Sequence, residues 1–389
     1  MNETALADLL ALLPIPGPPA GEGQVAAFLR KQCSKLGISD KEIVHDNAQA
    51  QSEYGGEVGN LIVRIGGDRP GPRLLFSTHM DTVPDAVGCR PRLDRAANRI
   101  VNDAPGKALG GDNRLGCAVL LHLARTLLAR NGDHPPVTLV FFIQEEVGLV
   151  GARGLDLALL GDPQPAMCFN WDGGRVDQFV NKVIGSERFT IDITGIAAHA
   201  GGRPAAGVSA AVIAAHAIAE LDREGWHGRI AQRDGVGTAN VGIMQGGQGS
   251  NVVMPALHIL AEARSHDPAF RRQIIARWQA AFRAATAGVT NQDGQRGSVA
   301  FGPGPTYEAF ALEEDEPVVQ HMLAAARQCA IDATLVSNDG GMDANWIVAH
   351  GIPAVTIGAG QRQVHTADEW IDLTDFDKAC ELAVALAIG

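Results

Sequence analysis

Two adjacent carboxylates, Glu145 and Glu146, follow the apolar run in "VTLVFFIQEEVGLVG", and a glycine turn comes straight after them. A strand of that composition belongs in a core, so the pair stands at its end. Because successive strand residues point to opposite sides, the two are expected to reach different targets. Other polar residues occupy comparable positions. His79 and Asp81 close "RLLFST" in "STHMDTVP", and Asp172 closes "AMCFNW". His365, in "GQRQVHTADEW", follows the apolar "IPAVTIG", and Asp112, in "LGGDNRLGCAVLL", opens a helix whose glycines permit a tight approach. Singly, each has an ordinary reading. Asp112 is as well suited to cap its helix as to bind a metal, His79 suits a hydrogen-bonded strand end, and Asp172 before Gly173 suits a turn.

Convergence changes the balance. In open α/β sheets the ligand crevice lies beyond the carboxyl ends of the strands, where these side chains would meet. Carboxylates crowded there repel one another unless cations hold them together. Two divalent metals would do so, and imidazole with carboxylate suits zinc, with cobalt or manganese also feasible. A metal pair about 3.5–4 Å apart can share a bridging carboxylate and water and make that water acidic. The two glutamates then divide the work: Glu146 binds a metal, while Glu145 takes the proton from water and passes it to the leaving nitrogen. Asp81, two residues beyond His79, is placed to orient its imidazole.

The elements required to position these residues are visible as apolar runs. "NLIVRIG", "RLLFSTH", "VTLVFFIQ" and "AMCFNWD" alternate with the helical "LGCAVLLHLARTLLAR", which predicts an α/β sheet that is at least partly parallel. Near residue 185 the pattern changes to β-α-β-β-α-β, the split βαβ plan of a ferredoxin-like domain. Its strands are expected in "ERFTIDITG", "GTANVGIMQGG", "ALHILAEARSHD" and "GSVAFGPG". After it, "VVQHMLAAARQCA" and "IPAVTIGAG" return to α/β alternation. The expectation is a catalytic domain made of residues 1–184 and 312–389, with a smaller domain, 185–311, inserted between them.

The 389 residues carry 46% apolar content, enough for two cores. Against 32 Lys and Arg stand 44 Asp and Glu, a formal charge of −12 with no basic stripe, which argues against nucleic acid. No window has the unbroken apolar length of a spanning helix, so a membrane is not an expected partner. The first residues lack a basic leader, and a cytoplasmic location is expected. The six cysteines are scattered without a CxxC pair and read as small buried hydrophobes. No G-x-G-x-x-G follows an early strand, and "GGQGS" lacks the ending of a phosphate loop.

In order along the chain, "STHMDTVP", "GGDNRLG", "QEEVGLVGA", "NWDGG", "GIAAHAG", "GGQGSNVVMP" and "HTADEW" resemble the motifs of the M20 family of dinuclear zinc peptidases, especially its peptidase T-like members. The resemblance implies a zinc-peptidase-like catalytic domain, a mixed sheet flanked by helices, with an inserted lid that commonly dimerises. It implies that His79 and Asp172 bind one metal and Glu146 and His365 the other, with Asp112 bridging and Glu145 the general base. His199 resembles the lid histidine that steadies the scissile carbonyl oxygen, often in a partner's site. A histidine aimed at developing oxyanion charge is a sound electrophile. Arg264, in "AEARSHD", resembles the arginine that holds the substrate carboxylate. Asn251, Gly340 and Gly341 are further candidates for substrate contact. Asp at 172 looks like the di- and tripeptidase side of the family, although the stretch from His79 to Asp112 is shorter than in typical tripeptidase T members.

The expected substrate is a short peptide, a di- or tripeptide, cleaved as by an aminopeptidase. An N-acyl or N-carbamoyl amino acid is the alternative, since it too presents a carboxylate to Arg264. A non-catalytic metal- or peptide-binding relative is a third reading, against which the intact Glu145 speaks.

Overall fold

A computed structural model describes residues 2–389. The chain divides into two compact units, one of residues up to Lys182 together with Ala311–Gly389, the other Val183–Phe310.

The first unit begins with helices α1 (Glu3–Leu12) and α2 (Gly23–Lys35), then strands β1 (Ile43–His45), β2 (Leu61–Ile65) and β3 (Leu74–His79). A hairpin of β4 (Pro91–Asp94) and β5 (Arg99–Asn102) leads to the long helix α3 (Gly111–Ala129). Strand β6 (Val137–Phe142), the one-turn helix α4 (Val150–Arg153), β7 (Met167–Trp171) and β8 (Gln178–Val183) complete this segment. Every residue of β3 and β6 is buried, as expected of central strands covered on both faces.

In the second unit come β9 (Gly185–Thr194), α5 (Ala210–Arg223), β10 (Gly228–Gln232), β11 (Gly235–Gly246), β12 (Ala256–Ser265), α6 (Pro268–Gly288) and β13 (Ser298–Tyr307). Among the described residues these strands form one antiparallel sheet, β10-β11-β12-β9-β13. Removing β10 leaves the strand order of the split βαβ plan, so β10 is an addition to the expected β-α-β-β-α-β series. It was illegible because only Ile230 of its residues is buried, which leaves no apolar alternation to read. Phe189, Ile191 and Ile193 alternate inward and meet Phe270, Ile274, Trp278 and Phe282 from α6. That helix starts sharply, with Pro268 in its first turn and the Asp267 carboxylate accepting from the Ala269 amide.

The chain returns to the first unit through β14 (Phe310–Ala311), α7 (Pro317–Gln328), β15 (Thr334–Asn338), α8 (Asp343–Ala349), β16 (Ala354–Ile357), β17 (Gln361–Arg362), β18 (Trp370–Asp372) and α9 (Leu373–Ile388). The main sheet runs β1-β2-β6-β3-β7-β16-β8-β14, with β15 beside β8. Its centre, β6-β3-β7-β16, is parallel, while β2 and β8 run antiparallel at either side. It is therefore partly parallel, as the alternation implied, and a mixed sheet with flanking helices, as the resemblance implied. A second sheet, β17-β18-β5-β4, was not anticipated, and its β17–β18 hairpin carries the loop with His365.

Candidate active site

His79 is the last residue of β3 and is buried. Its Nδ1 faces the Asp81 carbonyl oxygen at 3.1 Å and the Asp81 carboxylate at 3.4 Å. The neutral ring therefore keeps its hydrogen on Nδ1 and leaves Nε2 as the ligand atom. The Asp81 carboxylate does more than orient this ring: its two oxygens accept the backbone amides of Glu145 and Glu146 at 3.0 and 3.1 Å.

Asp112 lies in α3, yet it and Asn113 have non-helical backbone angles. The capping role falls to Asn113, whose Oδ1 accepts from Gly116 N, and its amide donates to the Trp171 carbonyl beside Asp172. The Asp112 carboxylate is thereby released from capping. Its backbone is held by Glu369, whose two oxygens accept from Gly110 N at 2.7 Å and Asp112 N at 3.1 Å. Burial first, then the negative Asp112, push the Glu369 carboxyl up to about 7 against these hydrogen bonds. Glu369 stands within the quoted "HTADEW", but nothing in its spacing from His365 disclosed a partner so far away in the chain.

The two glutamates do not continue the strand, as the alternation argument assumed. β6 ends at Phe142, and Gln144 has a positive φ of 51° that turns the chain. Their divergence comes from this turn. The loop is stitched by Ile143 N to Asn60 Oδ1, Gly148 N and Leu149 N to the Glu145 carbonyl, and Gly151 N to the Ile143 carbonyl.

Asp172 follows β7, with its amide anchored on the Ile357 carbonyl of β16. Among the described residues, two candidate cation clusters appear, His79–Asp112–Asp172 and Asp112–Glu146–His365, with ligand atoms within 4.8 Å of one another in each. Asp112 belongs to both: Oδ1 lies 3.1 Å from His79 Nε2 and Oδ2 lies 3.2 Å from His365 Nε2. His79 Nε2 is 3.8 Å from Asp172, and His365 Nε2 is 2.9 Å from Glu146. Glu146 Oε1 is buried and faces His365 Nε2 outside hydrogen-bond geometry, as two ligand atoms aimed at one cation would. The residues present thus fit a pair of divalent ions.

The electrostatics agree with that fit. Burial opposes charge on His79, but Asp112, Asp172 and Asp81 outweigh it and hold its pKa well above the usual value. Asp112 and Glu146 raise His365 to about 10. Burial alone would raise Asp112, yet the two histidines take it below the usual carboxylate range. Burial pushes Glu146 and Asp172 upward. Burial also lifts Glu145 well above its ordinary range, helped by Asp172, Asp343 and Glu146 and opposed by His79. Asp343 is a further buried carboxylate, with no hydrogen-bond partner on either oxygen and His79, Asp172 and Asp81 as charged neighbours. It lies just after Gly340 and Gly341, which form the partly buried loop between β15 and α8. The neighbouring glycines drew attention at the sequence level and Asp343 did not.

Within the second unit, His199 and Asn251 are neighbours. His199 bridges to Val252, and Ala200 N donates to the Asn251 carbonyl. His199 Nδ1 accepts from Gly201 N at 3.2 Å and Gly202 N at 2.9 Å, so in the neutral ring Nε2 carries the hydrogen and is a donor. Arg264 is bound by the Glu262 carboxylate through Nε and a terminal nitrogen at 3.1 and 3.2 Å.

An α/β domain that gathers imidazoles and carboxylates beyond a parallel sheet centre has the donors of a divalent-metal site. The model of the Peptidase family M20/M25/M40 matches residues 75–388, and the chain belongs to this family. It is similar to the uncharacterized protein YqjE of Bacillus subtilis, 31% identical over 98% of this chain and 96% of that one. Among solved structures, aminopeptidase PepT from Bacillus cereus superposes with a TM-score of 0.84 at 30% identity, covering 99% of this chain and 97% of that one. A tripeptidase from Staphylococcus aureus gives 0.86 at 26% identity with the same coverage. The chain is therefore a peptidase, a peptidase T-like hydrolase of the M20 family.

Proposed function

We propose that the chain is a two-metal aminopeptidase of di- and tripeptides. The observation that carries this reading is Asp112 offering one carboxylate oxygen to each histidine, with Asp172 and Glu146 completing the clusters. His79 and Asp172 would hold one divalent ion and Glu146 and His365 the other, with Asp112 reaching both. Zinc suits this donor set best, and cobalt or manganese also fit it. Bound there, the ions supply Lewis-acid polarisation and acidify the attacking water.

The chain's own groups do the rest. Glu145 takes the proton from the water and delivers it to the leaving nitrogen, a task suited to a carboxylate with a raised proton affinity. Asp81 holds His79 in its ligand tautomer and fixes the glutamate amides. His199, donating from Nε2, steadies the carbonyl oxygen as negative charge develops. Arg264 receives the peptide carboxylate in competition with Glu262, and Asn251, Gly340 and Gly341 line the substrate. The inserted unit acts as a lid and joins two chains in a homodimer. The similarity to an aminopeptidase and a tripeptidase supports the substrate class.

The test is turnover of di- and tripeptides against N-acyl and N-carbamoyl amino acids, each with added zinc, cobalt or manganese. Metal-dependent release of amino-terminal residues is expected. A preference for the acylated amino acids would move the reading to an amidohydrolase of the same fold.

A further inference from the structure

Three consecutive backbone amides, those of Gln144, Glu145 and Glu146, are gathered by two carboxylates from remote parts of the chain. Asp81 takes the latter two. Gln144 N donates to Glu22 Oε1 at 3.0 Å, and the same oxygen accepts Ala20 N at 3.0 Å. With Gln144 at positive φ, the amides of Glu145 and Glu146 turn toward one carboxylate, as in a backbone nest that binds anions. Here a protein carboxylate fills it.

Glu22 is fully buried, and its second oxygen has no hydrogen-bond partner. Such an oxygen is costly to bury. Glu22 ties Ala20 within the turn between α1 and α2, and its bond to Gln144 is the one that reaches the glutamate loop. Arg114, also fully buried, has Asp81 and Glu22 among the negative groups that favour its charge. The Gln144 side chain is tied separately: its amide donates to the Gly55 carbonyl at 2.7 Å, and its Oε1 accepts from Ser52 Oγ. Two soft backbone angles separate the Gln144 amide from the peptide that carries Glu145. Fixing that amide therefore limits where the Glu145 carboxylate can point.

The geometry points to Glu22 as a positioning residue for Glu145, acting through the Gln144 amide and as a hydrogen-bond acceptor. This rests on Glu145 being the general base. Gln at position 22 keeps an acceptor oxygen, whereas Ala removes it.

The experiment uses the metal-loaded protein with a dipeptide or tripeptide that it hydrolyses. It measures bound metal, kcat and KM separately, and hydrogen exchange at the Gln144 amide. Glu22→Ala is expected to keep its metal and KM, to lose about tenfold or more in kcat, the scale of a displaced catalytic group, and to speed exchange at Gln144. Glu22→Gln should restore both protection and most of kcat. Where the Ala protein does not fold, Glu22→Asp, which draws the oxygen back by a methylene, should show the same two losses in smaller measure. Unchanged exchange at Gln144, unchanged kcat despite faster exchange, or a Gln variant as slow as the Ala or Asp one would overturn the proposal. Exchange is independent of what Glu145 does. Lost protection alongside a near-normal Glu145→Ala enzyme would show that the hydrogen bond is real, that the general-base reading is wrong, and that no catalytic positioning exists.

Discussion

Glu145 and Glu146 project from a turn whose amides are held by Asp81 and Glu22 as well as by the loop's own hydrogen bonds. Glu145 belongs to neither candidate cation cluster, whereas Glu146 closes one of them. Glu145→Ala should therefore retain metal while turnover falls by at least ~10²-fold, the low end for loss of a general base. Metal analysis and kcat on one preparation check this, and near-normal turnover would reassign the carboxylate. Glu22 gives a pH signature of its own. Burial first, then Asp81, push its pKa from 4.5 up to about 7. The folded state thus holds a proton that the unfolded state releases, so this contribution to stability is complete below about pH 4.5 and is lost as pH rises through about 7. Gln does not titrate. The stability of metal-free Glu22→Gln relative to the parent should grow between those values, to a ceiling of roughly 3 kcal/mol, and then level off. Urea unfolding at pH 5 and pH 8 measures it, and a difference independent of pH would contradict it. The ligand candidates were legible because metal chemistry restricts residue type. Glu22 and Glu369 were not, because their partners lie 122 and 257 positions away and carry no local mark.

At the scale of elements, α3 must approach β3 closely for Asp112 to reach His79. Gly116 permits it: a Cβ there would lie 2.1 Å from Thr78 Oγ1 and 2.8 Å from Asn113 Oδ1. Gly116→Ala should therefore cost roughly 1–3 kcal/mol, the range for overpacking, and weaken metal binding by displacing the Asn113 cap. Denaturant unfolding with a metal titration checks both, and a change under ~0.5 kcal/mol, the usual scale of an innocuous surface substitution, would contradict it. The central strands and the helices α3, α5, α6 and α7 were readable because each buries a continuous or periodic apolar face. The hairpin of β4 and β5 and the strand β10 were not, since their side chains are mostly exposed or only half-buried. The glutamate turn was misread as strand for a different reason: its conformation follows from contacts with Asn60 and Asp81 and not from local composition.

For the whole molecule, the inserted unit has exposed edge strands, β10 and β13 among the described residues, and such an edge can pair with a second copy. If His199 serves the site of a partner chain, mixing inactive His199→Ala and Glu145→Ala proteins under subunit exchange should restore activity. About half of the dimers would be mixed, and each of those would hold one intact site. Demonstrated exchange without recovery would assign His199 to its own chain or remove it from catalysis. The proposed function stands on two cations that hold the buried acids of this site together. The direct measurement is the number of divalent ions bound per chain when metal-depleted protein is saturated with zinc. Two are expected, with Asp112→Asn weakening both; saturation at one ion or none would contradict the two-metal reading.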